Sequence, residues 1–356
     1  MLKNIRKNKK KKNESSIIGR LRGWFYHGRF IGFDIQSIIM TVLTALTIIT
    51  TVIMGLLLYN RFKMAIKQTA VTNTENMVEN TVEKLDADLL NVRQITNAVN
   101  YNIIQEYDIS SRDFNRQFSL LYEINADKIQ SMALYDDKGN LLTAEPVTVQ
   151  KDAVEPSEQD WYQDAEEDIE NIHFSIPHIQ NLFVDGTYRY YWVVSLSRSV
   201  DINDGEQPGS GVLLVDMKYS VIEDTLARIN DASNGIYYYL CNRDGQMIYH
   251  PRGTDMDRGY FKEEYRDAAT YEDGTYELTV NGRTSNVIVN SVAYTGWKVV
   301  GVVPESVQIA SINRFRYYII TTVIILMMML LGVNRIISKK ISRPILKLNE
   351  SVKAYE

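Results

Sequence analysis

Cysteine is nearly missing. Cys241 is the single one in 356 residues, so no intramolecular disulfide can form and the fold must be held by its core. Histidine is also scarce, with four in the chain, and His173 and His178 are five residues apart, the wrong spacing for two metal ligands on one helix face. Asp201-Ile-Asn-Asp-Gly-Glu has the look of a calcium loop, but its Gly comes one position early and no closing Glu follows. It reads as a hairpin loop. Gly-rich phosphate cradles and nucleophile elbows are absent too, so no catalytic residue, metal or cofactor is assigned.

Charge is missing from two long stretches. None occurs between Asp34 and Arg61, and Ile35 to Tyr59 exceeds the roughly 20 apolar residues that cross a hydrocarbon layer. A second uncharged run, Tyr317 to Val333, extends through Ile336 and Ile337 if Arg335 snorkels. The first run is too long, begins too late and lacks the small-residue site of a cleaved signal peptide. Ten Lys/Arg against one acid precede Asp34, and six against two follow from Arg335 onward. Because basic flanks stay inside, both termini are expected in the cytoplasm and residues of about 60–316 outside, in a multi-pass cell-membrane protein. The Lys-rich tail needs no role beyond topology and attraction to anionic lipid, and no nucleic-acid partner is expected.

Between the spans, Val78, Val82, Leu85, Leu89, Val92, Thr96, Val99 and Ile103 follow a 4,3,4,3,4,3,4 spacing, which predicts a long stalk helix with a coiled-coil-like seam. If it runs from Asn60 to Tyr107, it would be ~70 Å long. The seam suits either pairing with a second chain or packing on the helix's own domain. Short strands follow, and they repeat. Ser131-Met-Ala-Leu-Tyr-Asp-Asp-Lys-Gly is echoed by Tyr237-Tyr-Tyr-Leu-Cys-Asn-Arg-Asp-Gly, each an apolar strand entering a Gly turn. Tyr190-Tyr-Trp-Val-Val-Ser-Leu with Gly211-Val-Leu-Leu-Val-Asp is matched by Ser285-Asn-Val-Ile-Val-Asn-Ser-Val with Gly296-Trp-Lys-Val-Val-Gly-Val-Val. Ser220 to Asn230 is a short amphipathic linker helix between the two modules.

This order of parts resembles the double Cache (dCache) family of extracellular PAS-like sensor domains. The specific echoes are Asp160-Trp161-Tyr162, the strand ending in Asp216, Asp244-Gly245-Gln-Met-Ile-Tyr-His-Pro251, and Gly296-Trp297. The implied fold class is α+β: a long N-terminal helix plus two tandem antiparallel-sheet modules, flanked by two transmembrane helices. The expected boundaries are a basic tail at 1–33, spans at 34–59 and 317–337, and a sensor domain at 60–316. Within the sensor, a stalk covers 60–110, a membrane-distal module 111–219 and a membrane-proximal module 220–312. After the second span, Ile341, Ile345, Leu348 and Val352 with Pro344 resemble the first helix of a HAMP relay, from 338 to 356.

The combination resembles the sensor regions of YesM-type histidine kinases. This chain has no phosphoacceptor-histidine helix, Asn box or ATP lid, so it is expected to have no kinase activity by itself. A cytoplasmic response regulator would be the partner of a full-length kinase, and a homodimer through stalk and HAMP its expected assembly. A chemoreceptor, a diguanylate cyclase input region and a stand-alone solute-binding membrane protein are the alternatives. The resemblance further implies a small extracellular solute, a sugar or other polar metabolite, under an aromatic pair at Trp161 and Tyr162. Asp216 would match the acid that holds a ligand amino group, while Gln159 stands where amino-acid binders have an Arg. Tyr190 and Trp192, on one predicted strand face, would join the pocket, with Tyr188 and His178 nearby. Plain core packing also accounts for Trp161 and Tyr162.

Overall fold

The computed structural model describes residues 35–353 except 147–148, 169–170, 185–188, 204–207, 232–234, 259–269 and 281. The basic tail, Tyr188 and residues 204–206 of the acidic loop therefore lie outside the described residues. The chain forms two compact units, Met1–Met64 with Ile312–Glu356 and Ala65–Ser311.

Helix α1 (Ile35–Val99) is the spine of the second unit. Its stripe from Val78 to Val99 is buried at every seam position, and the apolar members pack in one core with residues from two sheets. The seam is thus covered by the protein's own domain rather than by a second chain. Past Val99 the structure departs from the expected α-helix to Tyr107. Asn100–Ile104 form a π-helical turn, whose extra residue lets consecutive Ile103 and Ile104 both reach the core.

Helix α2 (Arg112–Ile124) starts where Ser111 Oγ accepts the Phe114 N–H at 3.1 Å, and it buries Phe114 and Phe118. The first module continues with β1 (Ile129–Asp136), β2 (Leu141–Glu145), helix α3 (Asp160–Glu167), β3 (His173–Phe174) and β4 (His178–Ile179). It closes with the long hairpin of β5 (Trp192–Asn203) and β6 (Pro208–Lys218). The antiparallel sheet has the order β2-β1-β6-β5-β3, with β4 also on β5.

Helix α4 (Ser220–Asp231) leads into the second module. There β7 (Tyr237–Cys241), β8 (Met247–Tyr249), helix α5 (Gly253–Asp257), β9 (Gly274–Val280), β10 (Arg283–Ser291) and β11 (Lys298–Pro304) form a sheet of order β8-β7-β11-β10-β9. The fold is α+β, with the two-sheet PAS-like plan.

The repeat extends to side-chain detail. In the first hairpin Asp136 Oδ1 accepts the N–H groups of Lys138 and Asn140 at 2.9 and 2.7 Å. Asn242 Oδ1 does the same for Asp244 and Gln246 in the second, at 3.0 and 2.7 Å. Both turns end in a glycine with positive φ, Gly139 and Gly245, the conformation that residues with a Cβ rarely adopt. Cys241 is fully buried, and burial pushes its thiol up to about 11, so it is an inert core residue.

Strand alternation gives the first sheet two unlike faces. Leu213, Val215 and Met217 of β6 join the core built on α1, whereas Val212 and Leu214 join a second cluster with Trp161, Tyr162 and Ala165 of α3. Asp216 shares the second face.

In the other unit, α1 and helix α6 (Glu305–Lys353) each contain a stretch long and apolar enough to cross a membrane, with mean hydropathies of 2.3 and 2.1. Asn334 Nδ2 donates to Thr47 Oγ1 at 2.6 Å and approaches the Leu43 carbonyl at 3.4 Å, a polar clasp between the two helices. A double-mutant cycle of Thr47→Val and Asn334→Leu, read by unfolding the full chain in lipid nanodiscs, should return a coupling of about 0.6–1.7 kcal/mol. A coupling near zero would show that the clasp contributes nothing to helix pairing.

Candidate ligand-binding site

Asp216 stands on the central strand β6, directly across from Ser131 on β1 and Ser195 on β5. Both serines turn their hydroxyls onto it: Ser195 Oγ donates to one carboxyl oxygen at 2.5 Å and Ser131 Oγ to the other at 2.6 Å. The carboxyl is buried, with 1% of Asp216 exposed. Isolating such a group from water is costly unless every lone pair finds a donor, and two hydroxyls meet only part of that need. Burial accordingly pushes Asp216 above the ordinary carboxylate range, with Ser131, Ser195 and the His178 ring partly offsetting it.

The neighbours on this face are polar in the same unfinished way. His178 Nε2 lies 3.4 Å from Ser195 Oγ, while its Nδ1 is 3.1 Å from the Ile176 carbonyl oxygen and 3.3 Å from Ser175 Oγ. Ser197 shares the face of Ser195 by alternation, and its buried hydroxyl has no hydrogen-bond partner among the described residues. The same is true of the Tyr135 hydroxyl on β1. Burial, and next the Asp216 carboxyl, push that phenol up, so it stays a neutral donor. Three polar groups with capacity to spare, Asp216, Ser197 and Tyr135, therefore lie on one sheet face.

Helix α3 covers this face with its aromatic pair. Trp161 packs on Tyr135 with ring centroids 5.5 Å apart, and Tyr162 meets Trp161 edge-on at 5.6 Å. The Tyr162 hydroxyl donates to the Asp136 carbonyl at 2.7 Å, fastening α3 to the first hairpin. Trp161 thus walls the face while Tyr162, 1% exposed, is committed to holding the helix. Gln159 precedes α3, and its side-chain amide donates to the Glu155 carbonyl at 3.4 Å.

Two of the expected site residues are placed elsewhere. Tyr190 precedes β5, whose first residue is Trp192, and is 82% exposed. Trp192 alternates with Val193 and so falls on the side of Val194 and Leu196, where its ring meets Tyr219 at 6.3 Å. The structure brings Trp161, Tyr162, Asp216 and His178 together, and adds Ser131, Tyr135, Ser195 and Ser197. Their signal was present as Ser131-Met-Ala-Leu-Tyr135 and Ser195-Leu-Ser197, small or hydroxylated residues at every second position of otherwise apolar strands.

The raised Asp216 makes stability depend on pH. From about pH 4 upward the unfolded chain has lost this proton while the folded chain still holds it, so stability falls as pH rises toward the folded-state value. Melting curves of the full chain in nanodiscs across this range should decline more steeply than those of Asp216→Asn, which has no proton to lose. Parallel curves would mean that Asp216 ionises as readily inside as outside.

Two tandem sheet modules on a long helix, with a buried acid beneath an aromatic helix, define a Cache-type sensor domain. The Cache domain family model (dCache_1) matches residues 62–312, and the chain belongs to that family. It is 20% identical over 301 residues, 82% of its length, to a probable methyl-accepting chemotaxis protein of Bacillus thuringiensis subsp. konkukian. The chain spans 42% of that relative's length. Among solved structures, its fold is similar to the ligand-binding domain of Mlp24 with asparagine, at TM-score 0.51 and 15% identity, covering 70% of this chain and 98% of that one. The ligand-binding domain of the Pseudomonas fluorescens chemoreceptor CtaA in complex with L-leucine is similar at TM-score 0.50 and 19% identity, covering 69% and 99%. That of Campylobacter jejuni Tlp3, in complex with 4-methylisoleucine, matches at TM-score 0.51 and 12% identity, covering 68% and 94%.

Proposed function

We propose that this chain is the extracytoplasmic sensing and transmembrane part of a membrane receptor, and that its first module binds a small polar solute presenting an ammonium group to Asp216. The observation that carries the reading is the buried Asp216 with its two serine donors, on one sheet face with the Tyr135 and Ser197 hydroxyls, which have no partner among the described residues, and with Trp161 packed on Tyr135. An ammonium group supplies the charge and donors that a buried carboxylate lacks, and an indole face covers the attached hydrocarbon. The solved relatives hold asparagine, leucine and 4-methylisoleucine, each of which has an amino group. Gln159 can hydrogen-bond a polar group but supplies no charge, so amines without a free carboxylate are expected to bind best.

In this reading both termini are cytoplasmic, the sensor domain faces outward, and the solute biases a two-state arrangement of the helices. Chemoreceptor output is favoured by the chemotaxis relative. A histidine-kinase output, with a response regulator as partner, is the second reading, favoured by the Lys-rich tail and the HAMP-like repeat at Ile341. Sequencing the gene past codon 356 separates the two.

The binding claim is tested by thermal shift of the full chain in nanodiscs against amines, amino-acid amides, free amino acids and sugars. A shift with amines, absent with polyols, is the expected result. Stabilisation by sugars alone would replace the ammonium reading with a sugar one.

A further inference from the structure

The second module contains a cleft that shares no residue with the Asp216 site. It has a volume of about 620 Å³, within the range of small-molecule sites, and opens between the end of α4, the starts of β7 and β10, and the junction of β11 with α6. Arg252 and Arg283 both line it, and the described lining residues include no Asp or Glu. Asp255, outside the lining, accepts from Arg252 Nε at 3.2 Å and offsets one of the two charges. Arg283, exposed at the start of β10, has no ion-pair partner among the described residues.

The rest of the lining favours an anion with a hydrocarbon body. Ser306 and Val307 belong to the first turn of α6, where backbone N–H groups lack intrahelical acceptors and the helix dipole is positive. Tyr237, Val280 and Pro251 supply apolar wall. A guanidinium fork matches a planar carboxylate, and the apolar wall rewards carbon attached to it. A bare inorganic anion would gain the first contribution and not the second.

The geometry points to a second ligand site in this module, for a small organic carboxylate held by Arg283 and Arg252 and touching the start of α6. It is independent of the Asp216 site, and its occupant has the opposite charge.

Calorimetric titration of the full chain in nanodiscs at constant ionic strength, with succinate, benzoate and inorganic phosphate as probes, tests this. Succinate or benzoate should bind saturably and more tightly than phosphate. Arg283→Gln should weaken binding about tenfold or more, Arg283→Lys should do so less, and Asp216→Asn should leave it unchanged. Far-ultraviolet circular dichroism should show that the variants keep the native fold. Failure of both carboxylates to bind, tighter binding of phosphate, or binding insensitive to Arg283→Gln in folded protein would overturn the proposal. A loss confined to Asp216→Asn would do the same by assigning the carboxylate to the first module.

Discussion

Asp216→Asn should weaken binding of amine solutes about 100-fold while leaving the fold in place. The amide is nearly isosteric and can still accept from one serine and donate to the other, so Ser131 and Ser195 keep partners. What disappears is the negative charge. An ammonium–carboxylate contact in a desolvated site contributes on the order of 3 kcal/mol, so affinity should fall about 100-fold. Asp216→Leu should behave differently, because it strips both serine hydroxyls of their acceptor in a buried place, costing about 1–3 kcal/mol for each. The pair of variants thus separates binding from stability. Wild-type binding should also release a proton, since the ammonium group favours the ionised form of a carboxyl whose pKa burial has raised. Titration in two buffers of different ionisation enthalpy reads that proton directly. Unchanged affinity in Asp216→Asn would remove the acid from the site.

Gly211→Ala should be among the most damaging single-methyl changes in the sensor. Gly211 lies in the central strand β6, paired with Asp136 on one side and Val200 on the other. A Cβ there would overlap the backbone carbonyl oxygen of Tyr135 and the Cδ1 of Ile202. A side chain could turn away, but the carbonyl is fixed by the ladder, so β1 must separate from β6. The expected cost is about 3 kcal/mol, at the upper end for overpacking, which for a domain of this size lowers Tm by roughly 10 °C. Gly209, two residues earlier, is the matched control: no atom of the described residues lies within 4 Å of the point a methyl group there would occupy, so Gly209→Ala should melt close to wild type. Equal melting of the two variants would contradict the close β1–β6 packing on which the Asp216 cluster depends.

The two modules were legible because their strands are bounded by strong turn chemistry. Asp136 to Asn140 and Asn242 to Gln246 spell the same turn, and the 4,3 spacing from Val78 to Val99 marks one helix face. That spacing could not say what covers the face, since the same stripe suits a partner helix or the protein's own sheets. Asp216 was legible as an acid ending an apolar strand. Ser131, Ser195 and Ser197 were not, because a serine at every second position also describes a solvent face, and only the covering helix α3 distinguishes the two. Tyr190 and Trp192 were drawn in as alternate residues of one predicted strand face. The strand begins two residues later than their shared face requires, and its alternation turns Trp192 toward Tyr219. The cleft beside Arg283 joins residues far apart in sequence, so no local pattern announces it.

A small amine solute on the face of the first sheet beneath α3 should slow backbone exchange in the segments around it. Hydrogen exchange of the full chain in nanodiscs, with and without the most stabilising amine from the thermal-shift panel, reads this. Added protection is expected in Asp160–Glu167, in His178–Ile179 and along the Ser195 and Asp216 segments of β5 and β6. Protection confined to the second module, or found in no part of the sensor domain, would rule out a solute at that face.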